Sequence, residues 1–153
     1  MNKVKQYREL QQQLAALLEG ETDFIANMAN TAALLYQSLP DCNWIGFYLH
    51  KDSQLVLGPF QGKPACVRID IGKGVCGTAA QRRQTVIVAD VHQFEGHIAC
   101  DIASQSEIVV PMLANNKLLG VLDLDSPLIN RFDNDDRQGL EPLVNILLEV
   151  SAV

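Results

Sequence analysis

Four cysteines are the residues of this 153-residue sequence best suited to do chemistry. No two of them form a Cys-x-x-Cys pair, so the spacing fits neither a zinc ribbon nor a thioredoxin motif. A chain of this length buries enough surface to fold without a disulfide, which leaves the thiols free for reactions. Cys42 follows Pro40 at a predicted helix-to-strand junction, and this context is typical of an inert, buried thiol.

The other three cysteines, Cys66, Cys76 and Cys100, lie beside glycine- or histidine-containing segments. His97 lies close enough in sequence to Cys100 to lower the pKa of its thiol and populate the nucleophilic thiolate, although Asp101 opposes this. A zinc site built from His97, Cys100 and two further cysteines is a less favoured alternative, because His-x-x-Cys with distant partners is a weak pattern.

Acidic residues in apolar segments are the second unusual feature. Asp123 and Asp125 occupy one face of a predicted strand, whereas Leu122 and Leu124 occupy the other face. Glu107 begins another apolar strand. Two acids in such a strand usually line a cleft, so we expect a carboxyl cluster.

The predicted hairpin raises a difficulty of register. A two-residue turn at Asn115 and Asn116 would place Glu107 opposite Leu124, on the wrong face for a cluster with the aspartates. Pro111 cannot donate a hydrogen bond to its neighbour strand, so we predict a β-bulge or an odd-length turn there.

Aromatic residues could build a small pocket on the first strand. Trp44, Gly46 and Tyr48 share one face, and the missing side chain at Gly46 leaves space between two rings. Ordinary core packing is the alternative interpretation.

The remaining pattern predicts the elements that position these residues. We expect two N-terminal helices, the second ending at Pro40, and a last helix over 133–150. Between them the sequence predicts a short helix at 74–83, a loop or broken helix at 91–105, and strands at 44–49, 54–57, 66–71, 85–89, 107–113 and 118–125. This order favours an α+β fold with a mostly antiparallel sheet and helices packed on it.

The charge and hydropathy of the sequence disfavour several classes of partner and location. Eighteen acidic and twelve basic residues give a net charge of −6, which disfavours nucleic acid and anionic lipid as partners. No apolar run is long enough to span a membrane, and the first residues lack the apolar core of a secretory signal. We therefore expect a cytoplasmic protein with one domain over residues 1–153.

Five segments together resemble the free methionine-(R)-sulfoxide reductases, which are built on a GAF domain. They are NWIGFY at 43–48, GPFQGKPAC at 58–66, GKGVCG at 72–77, GHIACD at 96–101 and SEIVVP at 106–111. The resemblance covers about residues 23–150. One departure is Glu95, where the family usually has proline, and it removes no reacting group. The resemblance implies a single GAF domain with about six strands and terminal helices packed on one sheet face. The N-terminal helix, within 1–20, is predicted from the residue pattern and precedes the segment that the resemblance covers.

The same resemblance implies roles for individual residues. Cys100 would be the nucleophile, Cys66 the main resolving cysteine and Cys76 a second thiol able to enter the exchange. The implied substrate-binding residues are Trp44 and Tyr48 around the methylsulfinyl group, with Glu107, Asp123 and Asp125.

The implied reaction reduces free methionine-(R)-sulfoxide. It leaves a sulfenic acid on Cys100, which condenses with Cys66 to a disulfide that thioredoxin then reduces. A carboxylic acid must protonate the leaving oxygen, and the sequence leaves open which of Glu107 and Asp125 does so. No metal or organic cofactor is expected, and a homodimer is expected. The alternative is a stand-alone GAF domain that binds a nucleotide or an amino acid without turnover.

Overall fold

The structure of the protein, a computed structural model, describes residues 2–96 and 103–153. Its α-helices are α1 (Lys3–Leu17), α2 (Phe24–Ser38), α3 (Gly74–Arg82) and α4 (Asn134–Val150). The strands are β1 (Trp44–Lys51), β2 (Gln54–Gly62), β3 (Arg68–Asp70), β4 (Val86–Val88), β5 (Ser106–Ala114) and β6 (Lys117–Ser126), and a short 3-10 helix lies at Val91–Gln93.

The strands form one sheet in the order β3-β2-β1-β6-β5-β4, in which every neighbouring pair is antiparallel. Helices α1, α2 and α4 pack on one face, and α3 packs on the other. The predicted α+β architecture, with its terminal helices on one face, is confirmed.

The two-residue period of the strands divides their side chains between the faces. The residues facing the three-helix layer are apolar and buried, and they include Ile45, Phe47, Ile108, Val110, Leu122 and Leu124. On the opposite face the same strands carry Trp44, Tyr48, Glu107, Asp123 and Asp125. The functional candidates are thus segregated from the main apolar core.

A bulge resolves the register difficulty. Asn115 and Asn116 both have positive φ, as a two-residue turn requires, and pairing is regular except for one shift between Met112 and Leu113. The shift places Glu107 opposite Asp125. The predicted bulge is confirmed, but its predicted place at Pro111 is wrong, because Pro111 pairs regularly with Val121.

Two predicted strand boundaries are also wrong. Strand β2 continues through Pro59 to Gly62. Its pairing with β3 ends at Val56, so among the described residues the edge of β2 at Pro59 faces no further strand on that side, and an edge position tolerates a residue without an N–H. Strand β3 begins at Arg68 instead of residue 66. Cys66 consequently lies in an irregular segment between β2 and β3.

Hydrogen bonds at the start of β5 fix the strand that carries Glu107. The Ser106 hydroxyl donates to the Leu128 carbonyl at 2.6 Å and accepts from the Arg131 backbone N–H at 3.2 Å. The Arg131 guanidinium pairs at 3.3 Å with Asp136, which is fully buried and also accepts from the Tyr7 hydroxyl at 2.7 Å. The site is thereby linked through α4 to α1.

Candidate functional site

Three carboxyl groups meet on the face of the sheet opposite the three-helix layer. Glu107 pairs directly with Asp125, and Asp123 lies two residues earlier on the same face of β6. Glu107 and Asp123 are buried, whereas Asp125 is half-buried. The carboxyl cluster expected from the sequence is therefore present.

Burial makes the charged forms of these acids costly. It is the largest cause that raises the pKa of Glu107 well above its usual value, and the charges of Asp123 and Asp125 raise it further. Burial also raises the pKa of Asp123, although hydrogen bonds from Glu107 and Cys76 oppose the shift. Within the described residues, the Oδ1 atom of Asp123 has no hydrogen-bond partner. The cluster therefore favours a shared proton and offers a free acceptor to a ligand.

Cys76 lies against this cluster on the first turn of α3. Its Sγ atom is 3.9 Å from Oε2 of Glu107. Burial, followed by the charges of Asp123 and Glu107, raises the pKa of the Cys76 thiol well above its usual value. In this environment Cys76 is a neutral thiol and a hydrogen-bond donor, which makes it a poor nucleophile.

The acidic cluster also has the composition of a metal site. Ligand atoms of Cys76, Glu107 and Asp123 lie within 4.8 Å of one another. Because the thiol and the Glu107 carboxyl both favour their protonated forms, a cation there would have to displace protons.

The aromatic residues form a second wall beside the acids. The rings of Trp44 and Tyr48 are stacked, with centroids 6.0 Å apart, and Phe60 stacks on Trp44 at 5.2 Å. A side chain at Gly46 would overlap both Phe60 and the Trp44 ring. The absence of a Cβ at Gly46 therefore permits the stack. The space that the sequence predicts beside Gly46 is occupied by Phe60 and the edge of the Trp44 ring.

The irregular segment that carries Cys66 is held against this wall. The Tyr48 hydroxyl donates to the Cys66 carbonyl at 2.9 Å, and the Trp44 indole N–H donates to the Lys63 carbonyl at 3.0 Å. Cys66 is disulfide-bonded, whereas Cys42 and Cys76 are free thiols.

Cys42 lies apart from this chemistry. It packs on the apolar layer formed by the helices, and burial raises the pKa of its thiol to about 11. These surroundings agree with the sequence prediction of an inert thiol.

These features enclose one cavity with an empty volume of about 560 Å³, including its open mouth. The cavity is lined by Trp44, Tyr48, Pro64, Ala65, Ile69, Lys73, Gly74, Val75, Cys76, Ser104, Glu107, Asp123 and Asp125.

The structure thus brings together six of the eight residues predicted for the site and places Cys66 beside them. The predicted nucleophile Cys100 and its neighbours His97 and Asp101 lie outside the described residues. Sequence reasoning missed Lys73 and Ser104 as lining residues. Of these two residues, only Lys73 has a sequence feature that could have indicated a site, namely its position between two glycines, whereas no motif includes Ser104.

No helix in the described ranges, 2–96 and 103–153, is long and apolar enough to cross a membrane.

Comparison with known proteins gives consistent matches along the chain. The GAF domain family matches residues 15–148. The chain is 57% identical over 152 residues to the free methionine-R-sulfoxide reductase of Escherichia coli (strain K12), covering 99% of this chain and 92% of that protein.

Two solved structures extend the comparison. The X-ray structure of free methionine-R-sulfoxide reductase from Neisseria meningitidis in complex with its substrate has a TM-score of 0.94 and 44% identity, covering 97% of this chain and 90% of that one. A protein from Burkholderia vietnamiensis, described as a candidate GAF sensor, has a TM-score of 0.95 and 56% identity, covering 99% and 96%.

The buried carboxyl of Glu107 predicts a pH-dependent cost to stability. Above the usual value of 4.5 the unfolded chain releases this proton while the folded chain retains it, so stability falls as pH rises until the folded-state pKa is passed. The loss is about 1.4 kcal/mol for each pH unit in that interval. We expect Glu107→Gln to remove this loss, as measured by urea unfolding of the reduced protein between pH 4 and pH 8.

Glu19→Gln, at an exposed position, is the matched control and should retain the pH dependence of the wild type. Equal pH dependence for wild type and Glu107→Gln would contradict the interpretation.

Proposed function

The chain belongs to the free methionine-R-sulfoxide reductase family of GAF domain proteins, and we propose that it reduces free methionine-(R)-sulfoxide to methionine. The observation that carries this proposal is the buried carboxyl cluster, which lies beside an aromatic wall in one cavity. Relatives that bear the reductase name, including one solved with its substrate, support the same substrate class.

The acidic cluster suits the difficult step of the reaction. Oxide is a poor leaving group until its oxygen is protonated, so the reaction needs a proton donor in its protonated form near neutral pH. Glu107 is our proposed donor, because it is the carboxyl whose pKa is raised by burial and by both neighbouring aspartates. Asp125 is the alternative donor.

The cavity also suits a free amino acid. A free α-ammonium group can pair with Asp123 and Asp125, and it would occupy the unpartnered Oδ1 acceptor of Asp123. The amide nitrogen of a peptide-embedded residue carries no such charge. Lys73, the cation among the described lining residues, is placed to attract the free carboxylate. Trp44 and Tyr48 would enclose the methylsulfinyl end.

The proposed chemistry divides between Cys100 and Cys66. The Cys100 thiolate attacks the sulfoxide sulfur, and the protonated oxygen leaves as water. Water then attacks the Cys100 sulfur, which forms the sulfenic acid, breaks the transient S–S bond and releases methionine. The Cys66 thiol then displaces water from that sulfenic acid and forms a disulfide, which thioredoxin reduces. This assignment is supported by the disulfide-bonded state of Cys66 and by the free thiols at Cys42 and Cys76.

The raised pKa of the Cys76 thiol argues for a subordinate role. We propose that Cys76 enters the thiol exchange only as a second thiol, and that it otherwise donates a hydrogen bond to the carboxyl cluster.

We further propose that residues 1–153 act as one domain and that the protein is a homodimer. A cytoplasmic location is proposed because the re-reduction of the disulfide depends on a reducing compartment. No metal or organic cofactor enters the proposed reaction. A non-catalytic GAF domain that senses a small ligand is the second candidate, which the similarity to a candidate sensor favours.

Substrate selectivity tests the proposal and separates the two candidates. Fully reduced protein is mixed with free methionine-(R)-sulfoxide, the free (S) epimer or a peptide-bound sulfoxide, without reductant. We expect the free (R) epimer alone to release one methionine per chain with the loss of two thiols, measured by chromatography and thiol titration. Binding without thiol loss for every substrate would contradict the reductase and favour the sensor.

Cysteine variants test the division of labour. Cys100→Ser should lower methionine release by at least about a thousandfold, because it removes the nucleophile. Cys66→Ser should release one methionine and then stop, with a sulfenic acid at Cys100 that a sulfenic-specific probe detects. Cys42→Ser, outside the cavity, is the control and should behave as wild type. Full turnover by Cys100→Ser would exclude Cys100 as the nucleophile.

A further inference from the structure

Two residues of the aromatic wall, Trp44 and Tyr48, line the cavity and also donate hydrogen bonds to backbone carbonyls. The Trp44 indole N–H bonds to the Lys63 carbonyl at 3.0 Å, and the Tyr48 hydroxyl bonds to the Cys66 carbonyl at 2.9 Å. Both bonds reach residues 63–66, hereafter the Cys66 segment, one at each end. The groups that would enclose the substrate therefore also hold the backbone of the predicted resolving cysteine.

The Cys66 segment lies between two backbone attachment points. Before it, Gly62 pairs with Trp44 and packs so closely on the Trp44 ring that a side chain there would overlap the ring. After it, the Val67 carbonyl accepts the Leu57 N–H at 2.9 Å. Residues 63–66 have no strand structure, so the side-chain bonds from Trp44 and Tyr48, together with the disulfide bond of Cys66, supply order that the sheet does not.

The Tyr48 hydroxyl is well suited to this task. Its ring is 2% exposed and stacked on Trp44, which fixes the direction of the O–H bond. Burial and the charge of Asp123 keep the pKa of Tyr48 well above its usual value, so the hydroxyl remains a donor at every physiological pH.

From this geometry we infer that Tyr48 is a positioning residue for Cys66. The Tyr48 hydroxyl holds the Cys66 carbonyl in the disulfide-bonded state that the structure shows, and it thereby favours the resolving step that forms this disulfide. The inference rests on the proposed function and extends it. Tyr48 would have two roles, one in enclosing the substrate and one in the formation of the disulfide. In that step the Cys66 sulfur bonds to the Cys100 sulfur, the S–O bond of the sulfenic acid breaks, and hydroxide leaves with the Cys66 proton as water.

The test is Tyr48→Phe, which keeps the ring and removes only the hydroxyl. In single turnovers with free methionine-(R)-sulfoxide, two rate constants are measured: methionine release, and disulfide formation at Cys66 followed by alkylation and mass spectrometry. We expect the ratio of disulfide formation to methionine release to fall about five- to tenfold, the effect of one lost hydrogen bond to a partly buried carbonyl. Tyr36→Phe, at an exposed position on α2, should leave the ratio unchanged.

A second arm is independent of the reductase activity. Hydrogen peroxide can oxidise a cysteine thiol to the sulfenic acid with release of water, so the reduced protein reaches the same intermediate without methionine sulfoxide. Tyr48→Phe should keep that sulfenic acid about five- to tenfold longer than wild type.

The outcomes of the two arms are distinguishable. Failure of wild type to release methionine would contradict the proposed function, and the peroxide arm would still decide the role of Tyr48. An unchanged ratio in Tyr48→Phe, an equal fall of both rate constants, or a like effect of Tyr36→Phe would overturn the inference.

Discussion

The burial of Glu107 and Asp123 side by side is the constraint on which the rest of the site depends. Two carboxylates removed from water repel each other and lose their hydration, so the pair favours a form that retains a proton. Apolar packing on the opposite sheet face, where side chains of the strands contact α1, α2 and α4, offsets this free-energy cost. The pair thus tends to retain a proton beside a free acceptor, which is the arrangement that the proposed protonation of an oxide and the proposed binding of an ammonium group require.

The geometry of the cluster depends on one residue of strand register. Without the shift between Met112 and Leu113, Glu107 would face the helical layer and the cavity would lack its proposed donor. Gly120 belongs to this arrangement, since a side chain there would overlap the Tyr48 carbonyl on the neighbouring strand. The bulge sets the register of β5 on β6, and Gly120 permits the close approach of β6 to β1. The pairing of β1 with β6 also places the aromatic wall next to the acids.

Much of this could be predicted from sequence because it follows from local periodicity. The alternation in β6 predicts the shared face of Asp123 and Asp125, and the wrong-face position of Glu107 predicts a bulge. The place of the bulge could not be predicted, because the relevant property of Pro111, its missing N–H, is compatible with regular pairing there. Nor could Lys73 and Ser104 be assigned to the cavity, since their places depend on how distant segments pack. The roles of Cys100 and Cys66 came from family resemblance, and Cys100 lies outside the described residues.

The proposed chemistry depends on a proton that the acid cluster retains at neutral pH, and infrared spectroscopy of the reduced protein measures it. We expect a carbonyl stretching band of a protonated carboxyl group at pH 7 that is diminished in Glu107→Gln and unchanged in Glu19→Gln. If the wild-type protein shows no such band at pH 7, its carboxylates are fully ionised and cannot protonate the leaving oxygen.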